Sequence, residues 1–384
     1  MRGPQTVSKW RVQLAILGLM GCFAVEPLVT GWTGRAIRAR STADTLPSAL
    51  TDQEFWRLTE TLSEPNGFFN SDNLLSNETT FQYVIPMLKK TIKPGGVYMG
   101  VGPEQNFPYI IALEPKIVFI TDIRRGNLHE HLMYKALLEM APDRADFLSL
   151  LFSRKRPAGL TTGATAGQLL SAYAAVESSS DLYGRNLQAL KQWLTVHHTF
   201  KLREDDFPGV EFVYSNSYAA GPELSYRSQG GGGRNRYPTY AELQDETDGA
   251  GQARGYLASE ANFRSLKTYE ERNLIVPLVG DFAGPKALRA VGQYVKDHGG
   301  TVTTFYTSNV ENYLFQNRVW DQFAKNVSTL PLDDTSTFIR SCFDSCDAPP
   351  GSRVRMFVDP MLALLRDAAD GRIRTYYDVL GHGR

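Results

Sequence analysis

The chain has 384 residues, 42% hydrophobic and 21% charged, and its 41 Lys and Arg are balanced by 41 Asp and Glu. That composition excludes a disordered chain, a collagen-like repeat and a polytopic membrane protein. Zero net charge gives no electrostatic footprint for nucleic acid, and three cysteines are too few for a disulfide scaffold or a four-cysteine metal site.

Arg2, Lys9 and Arg11 precede an apolar run over residues 12–25 that only Gln13 interrupts. A cationic flank, a short apolar core and small residues near its end form a secretory signal pattern. At about 14 residues, the run falls short of the roughly 20 needed for a membrane-spanning helix. Two kinds of processing fit: cleavage after Ala24, or a lipobox Leu19-Met20-Gly21-Cys22 with Cys22 lipidated. An uncleaved anchor and a misassigned start are the alternatives. Residues 1–25 thus read as a signal peptide or lipoprotein signal, and 26–50, rich in Thr, Ser, Gly and Arg, as a tether. The expected location is exported, periplasmic or secreted and open to lipid anchoring; the alternative is cytoplasmic with a misassigned start. Membrane contact is expected only through this segment. Loss of residues 1–24 removes three positive charges and no negative one, which makes nucleic acid a still poorer partner.

Thr51-Asp52-Gln53-Glu54 is a capping signal for a helix carrying Phe55, Trp56, Leu58 and Leu62 at helical spacing. A turn over residues 63–67 ends it, and a second helix is expected over 79–89. Val97-Tyr98-Met99 is a short buried-strand signal. Gly100-Val101-Gly102-Pro103-Glu104 makes a turn, residues 107–113 read as a helix, and 116–121 as an apolar strand ending at Asp122. Strand, glycine turn, helix and strand in so few residues form a βαβ unit and imply a parallel sheet. Helices follow over 127–140 and 181–196, and Val210-Glu211-Phe212-Val213-Tyr214 reads as a strand. Four consecutive glycines at 230–233 mark a loop. A second βαβ unit spans the strand 274–279, a helix opened by Pro285 and a strand over 301–306. The expected fold is α/β, a doubly wound and mostly parallel sheet over 51–341, with an N-terminal helical segment and an irregular C-terminal extension over 342–384. Cys342 and Cys346 are spaced to close a small loop in an oxidising compartment or to remain unlinked thiols.

In open α/β sheets, ligands bind beyond the carboxyl ends of the strands, at the switch in strand order. Gly100, Gly102 and Glu104, then Asp122 with Arg124, Ser215 with Asn216, Asp281, and Ser308 with Asn309 occupy such ends. Glycines let a cofactor approach the backbone, and an acid closing the next strand suits ribose hydroxyls. A mononucleoside fits better than a dinucleotide, because no third glycine marks a pyrophosphate cradle. The small residues after Asp281 leave room for a ligand; equally, that carboxylate could satisfy free N–H groups of the following helix. Asp281 and His129 are the candidate catalytic groups on acid/base competence. On a regular helix His129 and His131 point about 160° apart, so they do not chelate one metal, and no metal is expected. The partner class is a small molecule, not nucleic acid.

The blocks Gly95-Gly96-Val97-Tyr98-Met99-Gly100-Val101-Gly102-Pro103-Glu104-Gln105-Asn106, Phe119-Ile120-Thr121-Asp122-Ile123-Arg124-Arg125 and Val279-Gly280-Asp281-Phe282-Ala283-Gly284-Pro285-Lys286 resemble those of a bacterial family of uncharacterised proteins. The resemblance covers residues 52–341 and includes the stretches 71–78 and 256–263. In fold, the first βαβ unit is similar to class I methyltransferases, whose cofactor is S-adenosylmethionine and whose fold is Rossmann-like. The resemblance implies that Gly100 and Gly102 meet the methionine part and that Asp122 holds the ribose, with Glu104 beside them. Tyr98 stands where those enzymes carry an acid, and Glu104 where they carry a further glycine. A methyltransferase-like protein binding S-adenosylmethionine or a related nucleoside is therefore the leading expectation. The alternative is an exported, non-catalytic ligand-binding or envelope protein on the same scaffold.

Overall fold

The computed structural model describes residues 44–227, 237–343 and 346–382. The expected signal over 1–25 with Cys22, most of the tether and the glycine run 230–233 lie outside the described residues. The last tether residues are described and packed: Leu46 and Leu50 are buried, and the Leu50 N–H donates to the Arg272 carbonyl.

Six strands form one sheet: β1 (Val97–Gly100), β2 (Ile117–Asp122), β3 (Ile275–Val279), β4 (Val302–Ser308), β5 (Thr337–Phe343) and β6 (Val354–Pro360). Their order is β3-β2-β1-β4-β5-β6. All neighbours pair in parallel except β5 and β6, which are antiparallel, so the sheet is mixed. Every residue of β1, β2 and β3 is buried. Strands covered on both faces read as continuous apolar runs rather than alternating ones, which is why these three were visible in the sequence. The chain steps outward from β1 to β2 and β3, then crosses back to place β4 on the other side of β1. That reversal puts a crevice at the carboxyl ends of β1 and β4.

The N-terminal helix, Asp52–Leu62, begins with a complete capping box between Thr51 and Glu54. Between β2 and β3 the regular elements among the described residues are helices, and here one expectation is corrected. Residues 210–214 are not a strand but part of the helix Asp206–Ala220, whose buried side chains Val210, Val213, Tyr214 and Ser217 recur at helical spacing. A short β-branched and aromatic run cannot be told from a buried helical segment without the wider period. Ser215 and Asn216 therefore close no strand; both bond locally to the Phe212 carbonyl. The helix Arg125–Met140 is buried on nearly all sides, because the helices of this insertion cover the face that its Glu and His residues would otherwise present to water.

The expected irregular C-terminal extension is also corrected. β5 runs through the expected boundary at residue 341, β6 pairs with it along its whole length, and the helices Met361–Ala369 and Tyr376–His382 follow. An uncovered β5 would expose a row of unpaired backbone groups. β6 escapes recognition because it carries charge: Asp359 is buried against Arg340, which also bonds Glu311 at 2.7 Å and lies over the Phe338 ring. Among the described residues Cys342 and Cys346 form a disulfide.

Candidate functional site

A cleft of about 220 Å³ opens at the carboxyl ends of β1 to β4. Gly102, Asp122, Asp281, Ser308 and Asn309 line it, so residues from all four strand ends converge on one space. Phe69 and Tyr313 form part of its wall, their rings 5.1 Å apart edge to face.

The glycine turn after β1 holds itself together. Asn106 donates to the carbonyls of Val101, Gly102 and Pro103 at 2.8–3.2 Å and accepts from the Tyr98 hydroxyl at 2.9 Å. A Cβ on Gly100 would lie 1.9 Å from Asn106 Oδ1. Gly100 is therefore glycine because Asn106 packs on it, and it does not line the cleft. Gly102 differs: its φ is +74°, and nothing lies within 4 Å of a Cβ built there.

Glu104 sits beneath this turn, 2% exposed and outside the cleft lining. Burial pushes its carboxyl up to about 7, against hydrogen bonds from its own backbone N–H and that of Ser76, and its Oε2 has no partner. Glu130 nearby is also raised, by burial and then by Glu104. His131 donates from Nε2 to the Gly102 carbonyl at 3.0 Å, while burial lowers it to about 4.

Asp122 is tied into its own turn. Its Oδ1 accepts from the Arg124 N–H at 2.8 Å and pairs with Arg124 Nε at 3.4 Å, whereas Oδ2 has one long contact of 3.5 Å to Nη2. One carboxylate oxygen of this cleft-lining residue thus keeps acceptor capacity. Asp281 accepts the Ala283 N–H at 2.9 Å. The space expected around it is largely taken by Glu64, which accepts backbone N–H groups of Asp281, Lys286 and Ala287 at 2.7–3.1 Å. A Cβ on Gly284 would lie 2.3 Å from Glu64 Oε2. Glu64, rather than Asp281, caps the helix Ala287–Asp297.

His129 lies between helices and does not line the cleft. Its Nε2 pairs with Asp206 Oδ1 at 2.7 Å, and Arg125 binds both Asp206 oxygens. Burial opposes ionisation of Asp206, but the bonds from Arg125 and His129 outweigh it and hold this carboxyl well below the usual range. A Cβ on Gly209 would lie 2.0 Å from His129 Nδ1, so this glycine lets the helix Asp206–Ala220 pack against the ring.

The central acid of the cleft floor was not singled out from the sequence. Glu78, 1% exposed, lines the cleft and accepts from Gln105 Nε2 at 2.6 Å and the Tyr306 hydroxyl at 2.8 Å. The hydroxyls of Ser308 and Ser341 donate to its other oxygen. Its only sequence signal is its place in the 71–78 stretch of the resemblance, since nothing local links it to β4 or β5. Among the described residues no group of three or more His, Cys, Asp or Glu is placed to hold a metal ion, and no helix is long and apolar enough to cross a membrane.

Residues 74–351 match the family described as a domain of unknown function, DUF7790, and the chain belongs to that family. No curated protein matches it.

Proposed function

We propose that this member of the DUF7790 family is a methyltransferase-like protein with a Rossmann-like, doubly wound sheet that binds S-adenosylmethionine or a related nucleoside in the switch-point cleft. The observation that carries the reading is the convergence of Gly102, Asp122 and Asp281 on one cleft at the carboxyl ends of β1, β2 and β3. In this reading Asp122 Oδ2 accepts a ribose hydroxyl, Gly102 lets the ligand approach the backbone, and Gly100 and Glu104 support the turn from behind. Asp281 is the candidate catalytic carboxylate, and His129 lies too deep between helices to share the work. The aromatic wall suits a flat base. The three carboxylates among the cleft-lining residues oppose phosphate, which favours a nucleoside over a nucleotide and speaks against nucleic acid as a partner.

A second reading, an exported non-catalytic binding protein on the same scaffold, is favoured by Asn106 packed on Gly100 where the methionine part would approach. The Cys342–Cys346 disulfide suits the oxidising compartment to which a signal over residues 1–25 would direct the chain.

Titration calorimetry of the full chain with S-adenosylmethionine and S-adenosylhomocysteine separates the two. The methyl-donor reading expects saturable heat, with Asp122→Asn weakening binding about 10- to 100-fold by loss of a hydrogen bond to a charged acceptor. Absence of heat at millimolar ligand removes the methyl donor and leaves the binding-protein reading.

A further inference from the structure

Ser308 ends β4 and sits in the left-handed region with φ +54°. The register with β5 shifts between Tyr306 and Ser308, and the helix Val310–Gln316 begins two residues on. A serine held in an unfavourable backbone conformation on a tight strand-to-helix turn presents its hydroxyl at the sheet's carboxyl edge. The Ser308 hydroxyl lines the cleft and donates to the carboxylate of Glu78. Gln105, Tyr306 and Ser341 hold that carboxylate from three other directions, which fixes it in place. Asn77 and Asn309 line the same cleft, and neither side-chain NH2 donates a hydrogen bond among the described residues. They are therefore available to stabilise a developing oxyanion.

We propose that Ser308 is a nucleophile with Glu78 as its general base, and that the cleft hydrolyses esters of small, uncharged, largely apolar acids. The aromatic wall of Phe69 and Tyr313 admits such an acyl group, while the acidic lining disfavours anionic ones. Ser308 Oγ bonds to the ester carbonyl carbon as its proton passes to Glu78. The carbon–oxygen bond to the alcohol then breaks, and the alcohol leaves with that proton. Water gives a proton to Glu78 and attacks the acyl-serine, the acid departs, and Glu78 returns the proton to Ser308. Ester and water become acid and alcohol, with no other reactant. This activity goes beyond ligand binding and does not depend on the methyl-donor reading.

The test is reaction of the full chain with a fluorophosphonate probe, followed by peptide mapping. Native protein is expected to be phosphonylated at Ser308, whereas urea-unfolded protein and Ser308→Ala are not. In Glu78→Gln, confirmed folded by circular dichroism, the labelling rate is expected to fall about 100-fold or more, the lower range of a general base's contribution. No label on native Ser308, or equal rates in native and unfolded chain, overturns the proposal even if Glu78→Gln does not fold. An unchanged rate in folded Glu78→Gln overturns the role of Glu78. Calorimetric silence toward S-adenosylmethionine leaves a labelled Ser308 standing, and an unlabelled Ser308 leaves the methyl-donor reading standing.

Discussion

Replacing Glu104 by Gln isolates the charge of the buried acid beneath the glycine turn. Burial pushes its carboxyl from the ordinary 4.5 up to about 7, against two backbone hydrogen bonds. Below about pH 4.5 the carboxyl is neutral in both the folded and the unfolded chain, and burial is not penalised. As pH rises toward 7 the unfolded chain ionises while the folded chain resists. The stability associated with the neutral acid is therefore lost progressively and is gone above the folded value. One pKa unit is worth about 1.4 kcal/mol, so the loss is bounded at about 3 kcal/mol. Gln keeps the shape and does not titrate. The groups that face Glu104 are Glu130, Tyr134, Tyr240 and Tyr256. Removing its charge also eases ionisation of Glu130, which acts in the same direction. Urea unfolding is expected to place variant and parent within about 0.5 kcal/mol near pH 4, and the variant ahead by about 1–3 kcal/mol near pH 8.5. A stability difference that does not change between the two pH values shows that Glu104 ionises alike in the folded and the unfolded chain.

Glu64→Ala leaves the backbone N–H groups of Lys286 and Ala287 at the start of the helix Ala287–Asp297, and that of Asp281 in the turn before it, without their acceptor, and a loss of about 2–4 kcal/mol is expected. Gly284→Ala should destabilise in the same sense by pushing Glu64 aside; denaturant midpoints unchanged in both variants would sink the capping role. Cys342→Ser opens the loop closed between positions 342 and 346 and is expected to lose about 2 kcal/mol. Dithiothreitol should lower the parent to the variant's midpoint and leave the variant unmoved; a variant matching the oxidised parent contradicts this.

The parts of the fold legible in the chain were those whose cause is local. β1, β2 and β3 announce themselves because strands buried on both faces must be apolar throughout, and Thr51 with Glu54 marks a helix start because capping needs only four residues. Residues 210–214 misled because a five-residue window holds too little of the helical period. β6 stayed hidden because Asp359 makes sense only opposite Arg340, a residue on another strand.

The candidate site divides along the same line. Asp122 and Ser308 close strands and Gly102 and Asp281 follow two residues after one; that placement is legible in the order of residues, and a parallel sheet brings strand ends to one edge whatever else the chain does. What meets them there depends on how the distant parts of the chain pack. Glu78 reaches Ser308 and Ser341 across 230 and 263 residues, and Glu64 fills the space beside Gly284 across more than two hundred. A buried carboxylate must find donors wherever the packed chain supplies them, and partners that distant leave no pattern in the order of residues.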